Sequence, residues 1–445
     1  MDFVEHRIEG FFMRIVQIIP GSGSTFYCQN CMRDLALVRE LRRQGHDVIL
    51  VPLYLPLDLS DASASAKPTF YSAVSLYIRH QYPRLSRILP SAFWRAMEST
   101  PVLRFAAHMA GSTRATGLCD LTISMLQGED GRQAEELERL VAWLREDPTA
   151  RPDLVCLSSS LLLGLARRIR SVLGVPVVCW LQDEHVWADA MPPADSSRVW
   201  QVLRERAADV DGFVAVSHSY ADRMRAALSL PIDRIRAIHI GVDPAVYLPS
   251  ELSRSPRTIG FLSRLAEGEG FGRFVDAFIE LHRDKRFADV HMKATGGSTD
   301  TRYVRRQMRR LRAAGLVDRV EIIPDAFQTA SAAFLASLTI LSVPVPEGEA
   351  FGTYAIEAMA SGVPVVEPPT GAYPEIFREA GCGVLSASAE PQAVAQAWAD
   401  LLADPARMAA EASRGRAAVA RVFNLERMAR ETVAYYLQLA KQGCR

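Results

Sequence analysis

Short apolar runs alternate with helical stretches along this chain, and the alternation runs its course twice. Arg14–Ile19 reads as a buried strand. A turn follows, then a helix over Met32–Gln44 with Leu35, Val38 and Leu41 at helical spacing, closed by Gly45 and His46. Val48–Leu53 reads as the next strand. Two strands joined through a helix pair in parallel, since the connection must cross a sheet face. The same reading places strands at Leu154–Leu157, Val175–Leu181, Gly212–Val216 and Ile235–Ile238. A second series follows at Thr258–Leu262, Val290–Ala294, Val320–Ile323, Leu338–Val343 and Val363–Val366. Repetition of this kind predicts α/β architecture with doubly wound parallel sheets.

A chain of 445 residues exceeds what one hydrophobic core holds. The two series therefore read as two Rossmann-like domains. Residues 1–12 form an N-terminal extension outside the strand pattern, disordered or the result of an upstream start. Residues 13–240 form the first domain, 241–257 ("GVDPAVYLPSELSRSPR") a Pro- and Ser-rich linker, and 258–424 the second domain. Residues 425–445 carry a last amphipathic helix, Leu425–Lys441, placed to cross back to the first domain.

Composition narrows the function. Lys+Arg and Asp+Glu balance at 51 each, which argues against nucleic acid as a partner. Seven scattered cysteines make no disulfide framework and fit a reducing compartment. No apolar run is long enough to span a membrane, and the acidic start lacks a signal-peptide core. The expected location is cytoplasmic. Within 69–118, read as a helical insertion, six arginines face one acid, Glu98, with Tyr71, Tyr77, Tyr82, Phe93, Trp94 and Phe105 interleaved. That surface suits a lipid-linked or anionic acceptor at the inner membrane face, or simply a solvated helical face covering the sheet. The arginines of Arg302–Arg312 flank a stripe of Val304, Met308 and Leu311, the pattern of a surface helix.

The densest chemistry lies in "VPVPEGEAFGTYAIEAMASGVPVVEP", Val343–Pro368. Phe351-Gly352-Thr353 opens a helix that stops at Gly362, with Pro364 beyond. Glu349 falls in the loop before that helix and Glu357 inside it. The amides at the helix start favour an anion, and Gly352 lets it approach closely. A phosphate there would have a carboxylate on each side, suited to the hydroxyls of a sugar and a ribose. The plainer alternative is a capping acid and an ordinary surface glutamate.

This stretch resembles the Glu-x7-Glu signature of family-4 retaining glycosyltransferases with the GT-B fold, two Rossmann-like doubly wound domains facing a central cleft. "IHIGVDPAVY" resembles their linker motif and "GFLSRL" their strand ending in a donor-binding arginine. "TGG" resembles the next glycine turn, and "GAYPEI" the segment after the signature. "SMLQGEDGRQAEEL" and the CxxC-bearing start are similar to a bacterial subgroup. The resemblance implies a nucleotide-sugar donor, UDP- or GDP-linked, held by the second domain. Glu349 would hold hydroxyls of the transferred sugar and Glu357 the ribose. Arg264 would neutralise the diphosphate with help from Gly297, Phe351, Gly352 and Thr353, and the Gly23-Ser24 turn would close over the sugar end. It also implies retention of anomeric configuration by same-face attack, with no metal at the diphosphate and no cofactor. The acceptor, a glycan, lipid-linked glycan or small molecule, would lie on the first domain.

Two departures from the family pattern stand out. A lysine usually follows the arginine by five residues, and here that position is Glu269. Three outcomes are open: Glu269 points away, Arg273 or Lys293 supplies the missing cation, or the site is weakened. The first two are expected, because Glu349, Glu357 and Arg264 are all retained. In the first domain, "CWLQDEHVWADAMP" puts Gln182 and Asp183 where a histidine is usual. Both are expected to face sugar or acceptor, with His185 a weaker candidate beside them and His218 another. Cys28 and Cys31 read as cleft-side packing, with a redox pair or a zinc site as lesser readings. Rival functions are a non-catalytic GT-B partner subunit and a GT-B sugar-nucleotide epimerase.

Overall fold

The computed structural model describes residues 12–20, 29–53, 119–147, 150–253, 255–296, 300–324 and 331–443. The Gly23-Ser24 turn, Cys28, Gly297 and the 69–118 insertion lie outside these residues. Two parallel sheets organise the rest. The first runs β1 (Arg14–Ile19), β2 (Asp47–Pro52), β3 (Leu154–Leu157), β4 (Val177–Leu181), β5 (Gly212–Ala215) and β6 (Ile235–Ala237), in the spatial order β2-β1-β3-β4-β5-β6. Every pairing in it is parallel.

The second sheet contains β7 (Thr258–Leu262), β8 (His291–Gly296), β9 (Val320–Pro324) and β10 (Ile340–Leu341) in the order β10-β7-β8-β9. A bridge from Leu341 to Val365 carries it on to β11 (Val366–Glu367) and β12 (Val384–Leu385). The strands are continuous apolar runs because helices cover both faces: Arg14–Ile19 has five fully buried positions in six, and Val177–Leu181 is buried throughout. Strand order reverses direction between β1 and β3 and again between β7 and β10. Loops at the carboxyl ends diverge at such points and leave a crevice.

The chain crosses between the two domains twice, and the crossings touch. Val242 N–H donates to Phe423 O at 2.8 Å, and Val242 pairs with Asn424 as an isolated parallel bridge. Gly241 is required there, because a Cβ would lie 2.2 Å from Asn424 O. The final helix, Leu425–Gly443, then lies on the first domain. Its buried Met428, Ala429, Val433, Tyr436 and Leu439 recur at helical spacing. Tyr436 is fully buried. Its hydroxyl accepts from Trp180 Nε1 at 3.0 Å and donates to Cys156 Sγ at 3.1 Å, tying the last helix to β4 and β3. Among the described residues, no helix is long and apolar enough to cross a membrane.

Removing this anchor tests the crossing helix. Tyr436→Ala should cost about 3 kcal/mol by leaving a cavity, and Tyr436→Phe about 1 kcal/mol by orphaning the Trp180 donor. Urea denaturation followed by tryptophan fluorescence reads both.

Candidate active site

The signature loop leaves β10 and enters the helix Thr353–Ala360 through Gly352, which is left-handed at φ 79°. A Cβ on Gly352 would sit 2.9 Å from Tyr373 Cε1, so glycine is needed for conformation and for space. Phe351 is buried between the His239 and Phe423 rings, at 5.9 and 6.1 Å between centroids, and anchors the loop. Glu349, half-buried, is steadied by Tyr354, whose hydroxyl donates to Oε1 at 3.3 Å and also bonds the Tyr373 hydroxyl. Beneath them the buried Glu367 carboxylate accepts Val343 N–H through both oxygens, at 2.9 and 3.0 Å. Glu357 accepts from Tyr247 Oη at 2.9 Å, which brings the linker onto the signature helix. Burial raises the Glu357 carboxyl above its ordinary range.

The first domain meets this loop at one peptide. Ala350 C=O accepts from Ser217 Oγ at 2.6 Å, and the Ala350 backbone amide lies close enough to Asp183 to oppose the rise of its carboxyl pKa. Asp183 follows β4 in a left-handed conformation, φ 63°, and its Oδ1 is buried without a hydrogen-bond partner. Ser217 follows β5 and also caps the helix His218–Leu228 through Tyr220 N–H at 3.0 Å. A second contact lies alongside. Glu375, in the first turn of Tyr373–Ala380, accepts the amides of His218 and Ser219 at 2.8 and 2.9 Å, and also bonds His239 Nε2.

Gln182 and His185 are placed differently from Asp183. Gln182 is 2% exposed, and its Oε1 accepts from Arg33 Nη1 at 2.9 Å inside the first domain. Its carbonyl takes Asn30 Nδ2 at 3.2 Å. It is a strut beneath the cleft floor and does not face a substrate, because the end of β4 turns the side chain inward while Asp183 turns out. His185 is also buried, with Nδ1 3.2 Å from Tyr220 Oη, and burial pushes its pKa down to about 4. It is neutral at physiological pH. Glu184 lies behind it, taking Ser160 N–H at 3.1 Å and Tyr220 Oη at 2.9 Å. Cys31, Cys156 and Cys179 are buried.

Two family models match the chain: Glycosyltransferase Family 4 over residues 125–246 and Glycosyl transferases group 1 over residues 256–404. The chain belongs to the family-4 glycosyltransferases. It has their two-domain GT-B fold. Among its relatives is the lipopolysaccharide core biosynthesis mannosyltransferase LpsB of Rhizobium meliloti, 29% identical over 47% of this chain and 57% of that one. The MMP alpha-(1->4)-mannosyltransferase of Mycolicibacterium hassiacum is 24% identical over 67% and 72%. A D-inositol 3-phosphate glycosyltransferase of Acidothermus cellulolyticus is 30% identical over 43% and 45%. The chain thus spans about half the length of two of these three relatives. Among solved structures, Anabaena HepE in complex with UDP superposes with TM-score 0.66 at 16% identity, covering 96% of this chain and 100% of that one. Sucrose-phosphate synthase of Thermosynechococcus elongatus does so with TM-score 0.67 at 17% identity, over 97% and 100%. At these identities the likeness speaks for the fold.

In this family-4 chain the departure at Glu269 turns out otherwise than expected. Glu269 does not point away. It ion-pairs with Arg264, the arginine at the end of the donor-side strand. Nor do the two alternative cations reach in. Arg273 donates to Ala389 O at 2.9 Å and to Glu390 at 3.2 Å. Lys293 pairs with Glu321 at 3.2 Å, beside a cavity of about 380 Å³ at the amino ends of β7, β8 and β9. The physical reason is local: Glu269 is largely buried, and Arg264 is the cation its carboxylate faces.

Three carboxylates therefore share one guanidinium. Burial, Asp183 and Glu269 push Glu349 up to about 8, against the opposing pull of Tyr354 and Arg264. Burial and Glu184 push Asp183 up to about 6, with the Ala350 amide and Arg264 opposing. A carboxyl whose pKa rises on folding adds stability below its unfolded pKa and loses it as pH climbs through the folded value. Glu349→Gln should therefore melt like the parent near pH 4. By pH 8 it should melt roughly 4 °C higher. Calorimetry across this range checks the sign.

Proposed function

We propose that this protein is a retaining glycosyltransferase, moving a sugar from a UDP- or GDP-linked donor to a glycan, lipid-linked glycan or small-molecule acceptor. The observation that carries the reading is the convergence of Arg264 and Glu349 beyond the carboxyl ends of the second sheet, with Asp183 facing them from the first domain and Glu357 in the signature helix that follows. In this reading Glu349 accepts hydroxyls of the transferred sugar. Glu357 exchanges its Tyr247 bond for the ribose. The amides opening Thr353–Ala360 receive phosphate oxygens. The unpartnered Oδ1 of Asp183 accepts a hydroxyl of sugar or acceptor. The acceptor hydroxyl attacks from the face the diphosphate leaves, and the departing phosphate oxygen takes its proton. Positioning and charge stabilisation supply the rate, with no metal assigned to the diphosphate and no cofactor. Two of the relatives are mannosyltransferases by name, which supports transfer of a hexose, and the third is named as a D-inositol 3-phosphate glycosyltransferase. HepE, solved with UDP and with UDP-glucose, supports a uridine donor.

The Arg264–Glu269 pair favours one second reading, a partner subunit whose donor site is weak. A diphosphate entering the cleft must compete with Glu269 for Arg264. One such charge contact is worth on the order of 4 kcal/mol at an effective dielectric near 20 and about 4 Å. A thermal-shift panel of nucleotide-sugars separates the readings. A donor should raise the melting temperature of the parent by mass action and leave Arg264→Ala unshifted. No shift with any donor would favour the subunit. Glu269→Lys should tighten UDP binding on the order of a hundredfold, read by calorimetry, if the native pair restrains the site.

A further inference from the structure

The described residues contain a cluster of metal-ligating side chains that the donor chemistry leaves unused. His218 opens the helix after β5 in the first domain. His239 follows β6 at the entrance to the linker, and Glu375 lies in the second domain. Their ligating atoms all fall within 4.8 Å of one another. We propose that His218, His239 and Glu375 form a zinc site that fastens the two domains together in the closed arrangement. Two imidazoles and a carboxylate with a fourth position open to water is a ligand set zinc accepts, and its nitrogen content disfavours magnesium or calcium. Zinc–ligand bonds of about 2.0–2.1 Å in a tetrahedron separate the ligating atoms by about 3.3 Å. Zinc binding would draw the ligating atoms, already within 4.8 Å of one another, to that spacing.

The surroundings hold two of the three ligands in place. The amides of His218 and Ser219 grip Glu375 at 2.8 and 2.9 Å and leave it lone pairs to spare. The His239 ring is wedged between Phe351 and Phe423, with centroids at 5.9 and 5.7 Å, and its carbonyl takes Arg427 Nη2 at 2.9 Å. Outer contacts of this kind orient metal ligands. His218 is exposed, with its ring edge-on to His239 at 5.9 Å, so it supplies both the third ligand and the entry path. Without zinc, the bond between His239 Nε2 and Glu375 already satisfies the pair. The metal is therefore conditional. When it binds, Nε2 gives up its hydrogen bond to Glu375 and turns a lone pair to the ion. The first domain then contributes two ligands and the second domain one, so opening the cleft would require breaking a metal bond.

The proposal is independent of any sugar donor, and its test needs no transfer activity. The full chain, stripped of metal by chelator, is dialysed against zinc at a few tens of micromolar, beside His218→Ala. The exposed position of His218 leaves the fold intact, which circular dichroism verifies. The parent should retain one zinc per chain and melt at higher temperature with zinc present. His218→Ala should lose both effects, with at least tenfold weaker binding. Absence of zinc from the parent, or equal retention by His218→Ala as for a site at other cysteines or histidines, would overturn the proposal.

Discussion

The cleft is organised around a single peptide unit. Ala350 receives Ser217 at its carbonyl and turns its backbone toward Asp183, so this one signature-loop residue is held from the opposite domain. Glu349 is bonded directly to this unit. Separating the domains would free the Ala350 peptide and release the loop that aims Glu349. Closure of the cleft and orientation of the carboxylate are therefore one event. The left-handed backbone at Asp183 costs on the order of 1–3 kcal/mol and persists only where its surroundings enforce it. Aspartate tolerates that conformation better than most residues.

Charge at the site follows from the same closure. Bringing Asp183 across adds a carboxylate to Glu349 and Glu269, with Arg264 as the shared cation. The closed site carries excess negative potential, and it relieves this by raising the acids toward neutrality. In the proposed reading a diphosphate would have to displace Glu269 from Arg264, after which Glu269 has burial and no partner, or draw its stabilisation from the amides at Gly352–Tyr354. A backbone cradle of that kind does not titrate and cannot be taken by a carboxylate, which makes it the steadier of the two supports.

Most of the strand and helix pattern was legible in the sequence, because a parallel sheet covered on both faces demands continuous apolar runs and those runs are read directly. Arg14–Ile19, Thr258–Leu262 and the signature helix fall where expected; β12 was missed because two residues make too short a run. The Glu349/Glu357 spacing was legible as well, being local. What escaped depends on contacts distant in sequence. Ser217 and Ala350 are 133 residues apart, and His239 and Glu375 are 136 apart. Both serine and glutamate lay inside stretches singled out for other reasons, yet nothing local announces that they meet. Gln182 and Asp183 look alike as polar residues after a strand. Only the turn of the chain decides that Arg33 takes the first into the interior and that the second reaches the cleft.

The linker completes the argument. Tyr247 reaches from it to Glu357, while five residues earlier Val242 is fixed to Phe423 at the second crossing, and Phe423 packs on Phe351 and His239. A rotation about the linker therefore moves three things together: the hydroxyl that occupies Glu357, the aromatic wedge behind the signature loop, and the helix anchored by Tyr436 on the first domain. In the proposed reading, a ribose hydroxyl that took over Glu357 would release Tyr247 from the signature helix, and that exchange would give the linker a direct report of occupancy through one side chain.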